Sequence, residues 1–429
     1  MLTAITGINW GDEGKGRMVD LLSQEYNIVV RYQGGNNAGH TVVTPEGKFV
    51  LNLLPSGILR SDVVCVMGNG MVIDLAHLDK EISTLRAQGI QIDPSHLKIS
   101  DRATICMPYH VAEDGLEEDR LAKSGNQFGS TRRGIAYSYG DKFMKKTLRM
   151  GDLLNLDDSV KQRLATIVEW KNLTMENVYG AQPISLEEMW AWCRKYAELF
   201  KDYICDTGEF LDKADREGQK ILFEAQLGAL RDIDFGIYPF TSSSNVIGSY
   251  APIGAGIPGH KLDKSIGIMK AYSSCVGEGP FTAELAMSEE EKDALRQAGH
   301  EFGAATGRPR RVGPFDVVAS RYGVFCQGAD ELALTLLDVL DYMDQIPVVE
   351  KYLVNGKEVE RFPMGEALDN ATPIVKYLPG WKCDITACRT WESLPQQAKE
   401  YVEYLEKAVG CKIKYVSVGA ARDAYLVHE

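Results

Sequence analysis

Asp12, Glu13 and Lys15 stand within ten residues, Gly7 to Gly16, that also hold four glycines, directly after an apolar opening. The backbone N–H groups of a glycine loop backed by a helix N-terminus form an anion site, and a lysine adds positive charge for a phosphate. The spacing departs from the Walker pattern, because Gly16 stands where a Ser or Thr would bind magnesium. Asp12 is the unusual member. A carboxylate inside a phosphate loop repels its ligand unless it holds a metal or removes a proton; the plainer alternative is a helix N-cap on a surface turn.

A second glycine loop, "QGGNNAGHT" (33–41), offers short donors at Asn37 and Thr41, and close backbone approach at Gly35 and Gly39. His40 can donate a proton or polarise a phosphoryl oxygen near neutral pH, although a lone histidine is more often structural. "DIDFGIYPFTSSSN" (232–245) carries a hydroxyl run that suits a phosphate or a simple turn. "GHEFGAATGRPRRVG" (299–313) sets Arg308, Arg310 and Arg311 among glycines, a pattern for capturing carboxylate or phosphate.

These loops need elements to hold them. Residues 2–8 read as a buried strand, 15–26 as a helix with Met18, Val19, Leu21 and Leu22 inward, and 27–32 and 62–70 as further strands. Residues 76–89 read as a helix closed by Gly89. Strand, glycine loop, helix, strand is the order of an α/β fold: a large, mainly parallel central sheet flanked by helices, with a P-loop-like phosphate-binding loop. The helical pattern over about 151–222 predicts a helical insertion, a subdomain at about 100–220 within one domain spanning 1–429.

The bulk composition narrows the class. The chain has 429 residues, 45% hydrophobic and 25% charged, which is globular composition. No apolar run approaches the ~20 residues that span a bilayer, and the glycine loop begins too early for a signal peptide. A net charge of −13 disfavours nucleic acid. The nine scattered cysteines fit reduced thiols in the cytoplasm rather than a metal or disulfide framework.

"GINWGDEGKGRMVD", "QGGNNAGHT", "GNGMVID", "DIDFGIYPF", "GAATGRPRRVG", "LPGW" and "YVSVG" follow in the order found in adenylosuccinate synthetases, which the chain resembles over essentially its whole length. That family joins L-aspartate to C6 of inosine monophosphate (IMP), driven by GTP and magnesium. The resemblance implies that Asp12 removes the N1 proton of the purine, so that O6 attacks the γ-phosphate of GTP. His40 assists as proton donor, and aspartate then displaces phosphate. Asp12 and the Gly39 carbonyl match the magnesium ligands.

Other positions carry over by the same resemblance. Glu13, Gly14, Lys15, Gly16, Gly39, Thr41, Arg310, Asp338, Ser417 and Gly419 match the GTP site, with Asp338 reading the guanine N–H donors. Asn37, Thr131, Lys145, Ser242 and Arg308, with Asp12, match the IMP site. Thr306 and Arg308 match the loop that captures the aspartate carboxylates. The family norm is a homodimer.

Several positions depart from the pattern. The glutamine that contacts the substrate base falls at Leu227, with Gln226 one place early; Gln226 is expected to swing in and bind IMP in its place. The arginine lent across the dimer to the substrate phosphate falls at Lys145. Gly-Trp becomes Gly313-Pro314, the lysine before the guanine-reading aspartate becomes Leu336, and "GPxR" becomes "GAAR" (419–422). Three readings therefore stand: the ligase making adenylosuccinate, a relative acting on another purine monophosphate such as a guanine or deoxy nucleotide, and a nucleotide-binding protein without ligase activity.

Overall fold

The computed structural model describes residues 1–44, 47–125, 129–302, 307, 309–421 and 424–429. Its centre is a ten-stranded sheet. In chain order the strands are β1 (Leu2–Gly7), β2 (Ile28–Arg31), β3 (Val64–Met67), β4 (Leu97–Ser100), β5 (Ile204–Cys205), β6 (Ile221–Glu224), β7 (Lys264–Lys270), β8 (Glu331–Thr335), β9 (Ile413–Ser417) and β10 (Tyr425–Val427). Across the sheet the order is β10-β9-β8-β7-β1-β6-β2-β3-β4-β5. Every pairing is parallel except the one between β9 and β10 at the edge.

Strands buried on both faces need nearly continuous apolar sequence, and "LTAITG", "IVVR" and "ILFE" supply it. Helix α1 (Lys15–Leu22) packs Met18 and Val19 against Ile5, Val29, Leu222 and Ile266. Helices α2 (Leu75–Ala87), α3 (Pro108–Ala122), α4 (Ile135–Met144), α5 (Asp158–Asn177), α6 (Leu186–Phe200) and α7 (Thr207–Arg216) follow. Leu164, Ile167, Trp190 and Phe200 from the helical stretch share a core cluster with Leu97 and Ile99 of β4. The expected helical stretch is interrupted by the edge strand β5 and ends at α7, because Ile221–Glu224 is a central strand.

Among the described residues no helix is long and apolar enough to cross a membrane. All nine cysteines are free.

The parallel order fixes where ligands can go. The carboxyl ends of β9, β8, β7, β1, β6 and β2 lie side by side, and five of these strands close on a buried polar residue: Ser417, Thr335, Lys270, Glu224 and Arg31. Six neighbouring strands at ~4.8 Å spacing give a row of roughly 24 Å, room for two nucleotides end to end.

Candidate active site

The loop after β1 is drawn round its own ion pair. Glu13 accepts from the Asn9 and Gly11 amides at 3.1 and 2.8 Å, and Lys15 Nζ donates to Glu13 Oε2 at 3.1 Å and to the Gly11 carbonyl at 2.9 Å. Both side chains are buried. Thr335 of β8 donates to the Glu13 carbonyl at 2.9 Å. Gly14 begins α1 at φ 88°, a left-handed conformation that glycine adopts without strain. The nearest atom to a Cβ there would be 3.9 Å away, so the loop's outer face is open.

Behind the loop lies the helix Val317–Gln327. Gln327 donates to the Gly7 carbonyl at 2.9 Å, and Asn9 donates to Ser320 Oγ at 3.1 Å. A Cβ on Gly323 would come 1.9 Å from the Ile8 carbonyl, so only glycine permits this packing.

Asp12 projects from the loop into a group of cations. Lys270 at the end of β7 reaches its Oδ2 at 3.1 Å, Ser274 Oγ donates to the same oxygen, and Arg310 Nη1 lies 3.7 Å away. Burial pushes the Asp12 carboxyl up, but Lys270, Ser274 and Arg310 together hold it below the ordinary carboxylate value. Glu301 ties the cations together: it accepts from Lys270 at 2.6 Å, from the Tyr272 hydroxyl at 2.6 Å and from Arg310 at 2.8 Å.

These residues suit magnesium. The cationic partners approach Asp12 through Oδ2, and among the described residues no hydrogen bond reaches Oδ1. Gly39 is exposed, with nothing within 4 Å of where a Cβ would stand. Magnesium is commonly bound by one or two carboxylates, waters and substrate phosphates rather than by an all-protein cage. One carboxylate beside an open phosphate loop meets that requirement.

His40 opens the hairpin His40–Thr44/Gly47–Leu51 and sits against α1, since a Cβ on Gly16 would lie 3.1 Å from the His40 Cβ. Its Nδ1 bonds Glu224 Oε1 at the end of β6, and Glu224 also accepts from the Ser56 amide and hydroxyl at 2.7 and 2.6 Å. Burial lowers the His40 value, Glu224 opposes this, and Arg31 and Lys15 reinforce it. With Nδ1 taken by Glu224, Nε2 is its remaining nitrogen. Of Thr41 only the backbone pairing with Val50 is described.

At the other end of the row, Asp338 follows β8. Its Oδ1 is buried and without a hydrogen-bond partner among the described residues. Burial raises its carboxyl value and Arg17 works against that rise. Arg17 leaves α1 to donate to Ser417 Oγ at 3.2 Å and to the Ala421 carbonyl, and it covers the Tyr425 ring at 4.6 Å. Ser417 Oγ lies 3.3 Å from the Gly419 carbonyl. Leu336, where the family carries lysine, takes φ 60°.

The remaining positions spread more widely. Asn37 and Gln226 are joined side chain to side chain. Gln226 also accepts from Arg31, so its amide is occupied and does not stand free beside Leu227. Ser242 Oγ lies 3.1 Å from Ser244 Oγ, which donates to Gln33. Thr131 is exposed on a loop tied down by Asp114, which accepts from Ser130 Oγ at 2.5 Å and the Gly134 amide at 2.8 Å. Lys145 is an exposed C-cap of α4 at φ 62°, beside exposed Phe143 and Met144. Thr306, Arg308 and Arg422 lie outside the described residues.

Sequence reasoning passed over Glu224, Lys270, Glu301, Arg31 and Arg17. For three of them a signal was there: "ILFE", "SIGIMK" and "IVVR" each end an apolar strand on a charge, which parallel topology turns toward a ligand. Glu301 and Arg17 carry no such mark.

The sheet and its loops define a nucleotide-handling α/β protein whose phosphate loop carries its own carboxylate. The family model for adenylosuccinate synthetase matches residues 4–426, and the chain belongs to that family. It is 43% identical over 427 residues to the adenylosuccinate synthetase of Caldanaerobacter subterraneus subsp. tengcongensis, covering 99% of each chain. It is also similar to the structure of fully ligated adenylosuccinate synthetase from Plasmodium falciparum, with a TM-score of 0.92, 32% identity and 100% of both chains covered. A cyanophage S-2L succinoaminodeoxyadenylate synthetase bound to dGMP and dATP matches at TM-score 0.60 and 18% identity over 99% of this chain and 94% of that one, which speaks for the shared fold alone.

Proposed function

We propose that this protein ligates L-aspartate to C6 of IMP at the expense of GTP, giving adenylosuccinate, GDP and phosphate. The observation that carries the reading is Asp12: a half-buried, ionised carboxylate within a glycine phosphate loop, with an oriented histidine beside the same helix N-terminus. A protein that only binds nucleotides needs neither.

In this mechanism Asp12 accepts the N1 proton of the purine, and electron density moves to O6, which attacks the γ-phosphorus as GDP departs. His40, held through Nδ1 by Glu224, donates at the transferring phosphoryl group from Nε2, and the Glu224 charge stabilises the imidazolium that precedes transfer. The α-amine of aspartate then attacks C6, the C6–O6 bond breaks, and O6 leaves within phosphate. Asp12 and the Gly39 carbonyl would hold magnesium, which would supply charge neutralisation at the transferring group.

The amides of Glu13 to Gly16, with Lys15 and Thr41, hold the GTP phosphates. Asp338 takes the guanine N–H donors, and Ser417 and Gly419 close over that base. Asn37, Thr131 and Ser242 receive the IMP phosphate, with Lys145 lent by a second copy in a homodimer. Thr306 and Arg308 are assigned to the aspartate carboxylates and Arg310 to the GTP. This work takes place in the cytoplasm.

The test is an absorbance assay of the purified protein with GTP, magnesium, L-aspartate and either IMP or guanosine monophosphate (GMP). Adenylosuccinate formation that requires all four components supports the reading. Faster reaction with GMP would move the chain to a different acceptor, and no reaction with either would leave a nucleotide-binding protein.

A further inference from the structure

Gln226 is buried at 1% exposure, and its side chain runs across Gly34, where a Cβ would come 2.1 Å from Gln226 Oε1. Gly34 at φ 80° is what lets it pass. Arg31, whose side chain is fully buried, donates through Nη2 to Gln226 Oε1 and through Nη1 to the Asn52 carbonyl. Arginine has donors and no acceptor, so the Gln226 atom facing it must be the carbonyl oxygen. The amide nitrogen then points the other way and donates to Asn37 Oδ1. The Gly35 amide also donates to Asn37 Oδ1, at 3.3 Å.

The polarity of three residues is thus settled in sequence. With both inward donors on its oxygen, Asn37 can present only its NH₂ group outward, which is the polarity an anion requires. A flipped Asn37 would direct a carbonyl oxygen at the ligand and leave the Gln226 amide facing another donor. Further support comes from the backbone: Gln33 Nε2 donates to the Gln226 carbonyl at 2.7 Å, and Gln33 Oε1 accepts from Ser244, the neighbour of Ser242.

We infer that Gln226 is a positioning residue that transmits the donor polarity of Arg31 to Asn37, aiming the Asn37 amide at the 5′-phosphate of the purine monophosphate rather than contacting the purine base. The inference rests on the proposed assignment of Asn37 to that phosphate. It gives the one-place offset of Gln226 a purpose: at this position the glutamine serves the phosphate end of the acceptor, while Leu227 turns its backbone carbonyl toward Gly7.

The test is a double-mutant cycle on the full-length protein, read by calorimetric binding of IMP, GMP and inosine. Gln226→Met removes both hydrogen bonds at similar volume, and Gln226→Glu keeps the bond to Arg31 but gives Asn37 an acceptor where it had a donor. Each is expected to weaken IMP binding about tenfold or more, the scale of a lost hydrogen bond to a charged group, and to leave inosine within about twofold. Neither should weaken IMP further in an Asn37→Ala background, because Gln226 acts through Asn37. If Gln226→Met fails to fold, Gln226→Glu, which retains its arginine partner, carries the cycle.

Equal loss for IMP and inosine, or losses that add to that of Asn37→Ala, would overturn the inference. Turnover is read separately. A native protein that binds IMP without converting it would refute the proposed reaction and leave this relay standing. One that prefers GMP would refute the acceptor, with the cycle then read on GMP. Binding of neither monophosphate would overturn both.

Discussion

His40 and Glu224, 184 residues apart in sequence, share a hydrogen bond between Nδ1 and Oε1, His40 at the start of its two-stranded hairpin and Glu224 at the carboxyl end of β6. The bond fixes which imidazole nitrogen faces the site. It also places a full negative charge, buried and held by both donors of Ser56, where an imidazolium would form.

Glu224→Gln preserves an acceptor for Nδ1–H and removes that charge. Turnover is expected to fall at least ~10-fold while the KM for each substrate stays within about threefold, because the loss belongs to the transition state. Steady-state kinetics on all three substrates checks it. A rise in KM with unchanged turnover would mean that Glu224 shapes binding instead.

Asp12→Asn keeps the size of the side chain and removes both the proton acceptor and the metal-ligand charge. Turnover is expected to fall by at least ~10². His40→Asn should lose a similar factor with little change in substrate affinity. Near-normal turnover of Asp12→Asn would contradict the assignment of the base.

Asp338 has a buried carboxylate oxygen with no hydrogen-bond donor among the described residues. Guanine supplies two N–H groups there and adenine none, so GTP is expected to outperform ATP. Leaving such an acceptor unpaired costs ~1–3 kcal/mol, a factor of roughly 5 to 150 in kcat/KM. Leu336 in place of lysine should keep the ratio toward the low end. Equal rates with both nucleotides would show that Asp338 does not face the base.

Asp316 caps the helix that backs the phosphate loop, accepting from the Ala319 amide at 3.0 Å and from Tyr352 at 2.5 Å. Burial pushes its carboxyl up to about 6, from an ordinary 3.8. The folded protein therefore binds this proton more tightly than the unfolded chain, and stability from this group falls as pH rises from about 4 to about 6. A shift of about two units corresponds to something on the order of 3 kcal/mol. Asp316→Asn retains a capping side chain without the charge, so thermal melts across that window should lose this slope, with Tm at pH 7 no lower than native. An unchanged slope would place the titration elsewhere.

Much of this arrangement was legible in the residues. β1, the phosphate loop and α1 follow from an apolar run, a glycine cluster and a 3.6-residue period, all local signals. α1 ends sooner than its period suggested, at Leu22, with a 3-10 turn over Ser23–Glu25. What stayed hidden was non-local. The pairing of Glu224 with His40, and of Lys270 with Asp12, depends on which strands are neighbours, and only the sheet order supplies that. The amide of Gln226 was read as a replacement for the base contact missing at Leu227. In the structure its side chain bonds Arg31 and Asn37, which lie on and after β2, far away in the chain.

The transfer of O6 to phosphate is the step on which the whole mechanism turns, and an isotope reports it directly. IMP carrying heavy oxygen at O6 is incubated with the protein, GTP, magnesium and L-aspartate, and the released phosphate is analysed by mass spectrometry. One heavy oxygen per phosphate, in step with adenylosuccinate formed, is the expected result. Unlabelled phosphate, with the heavy oxygen recovered in water or retained on the purine, would contradict attack of O6 on the γ-phosphate.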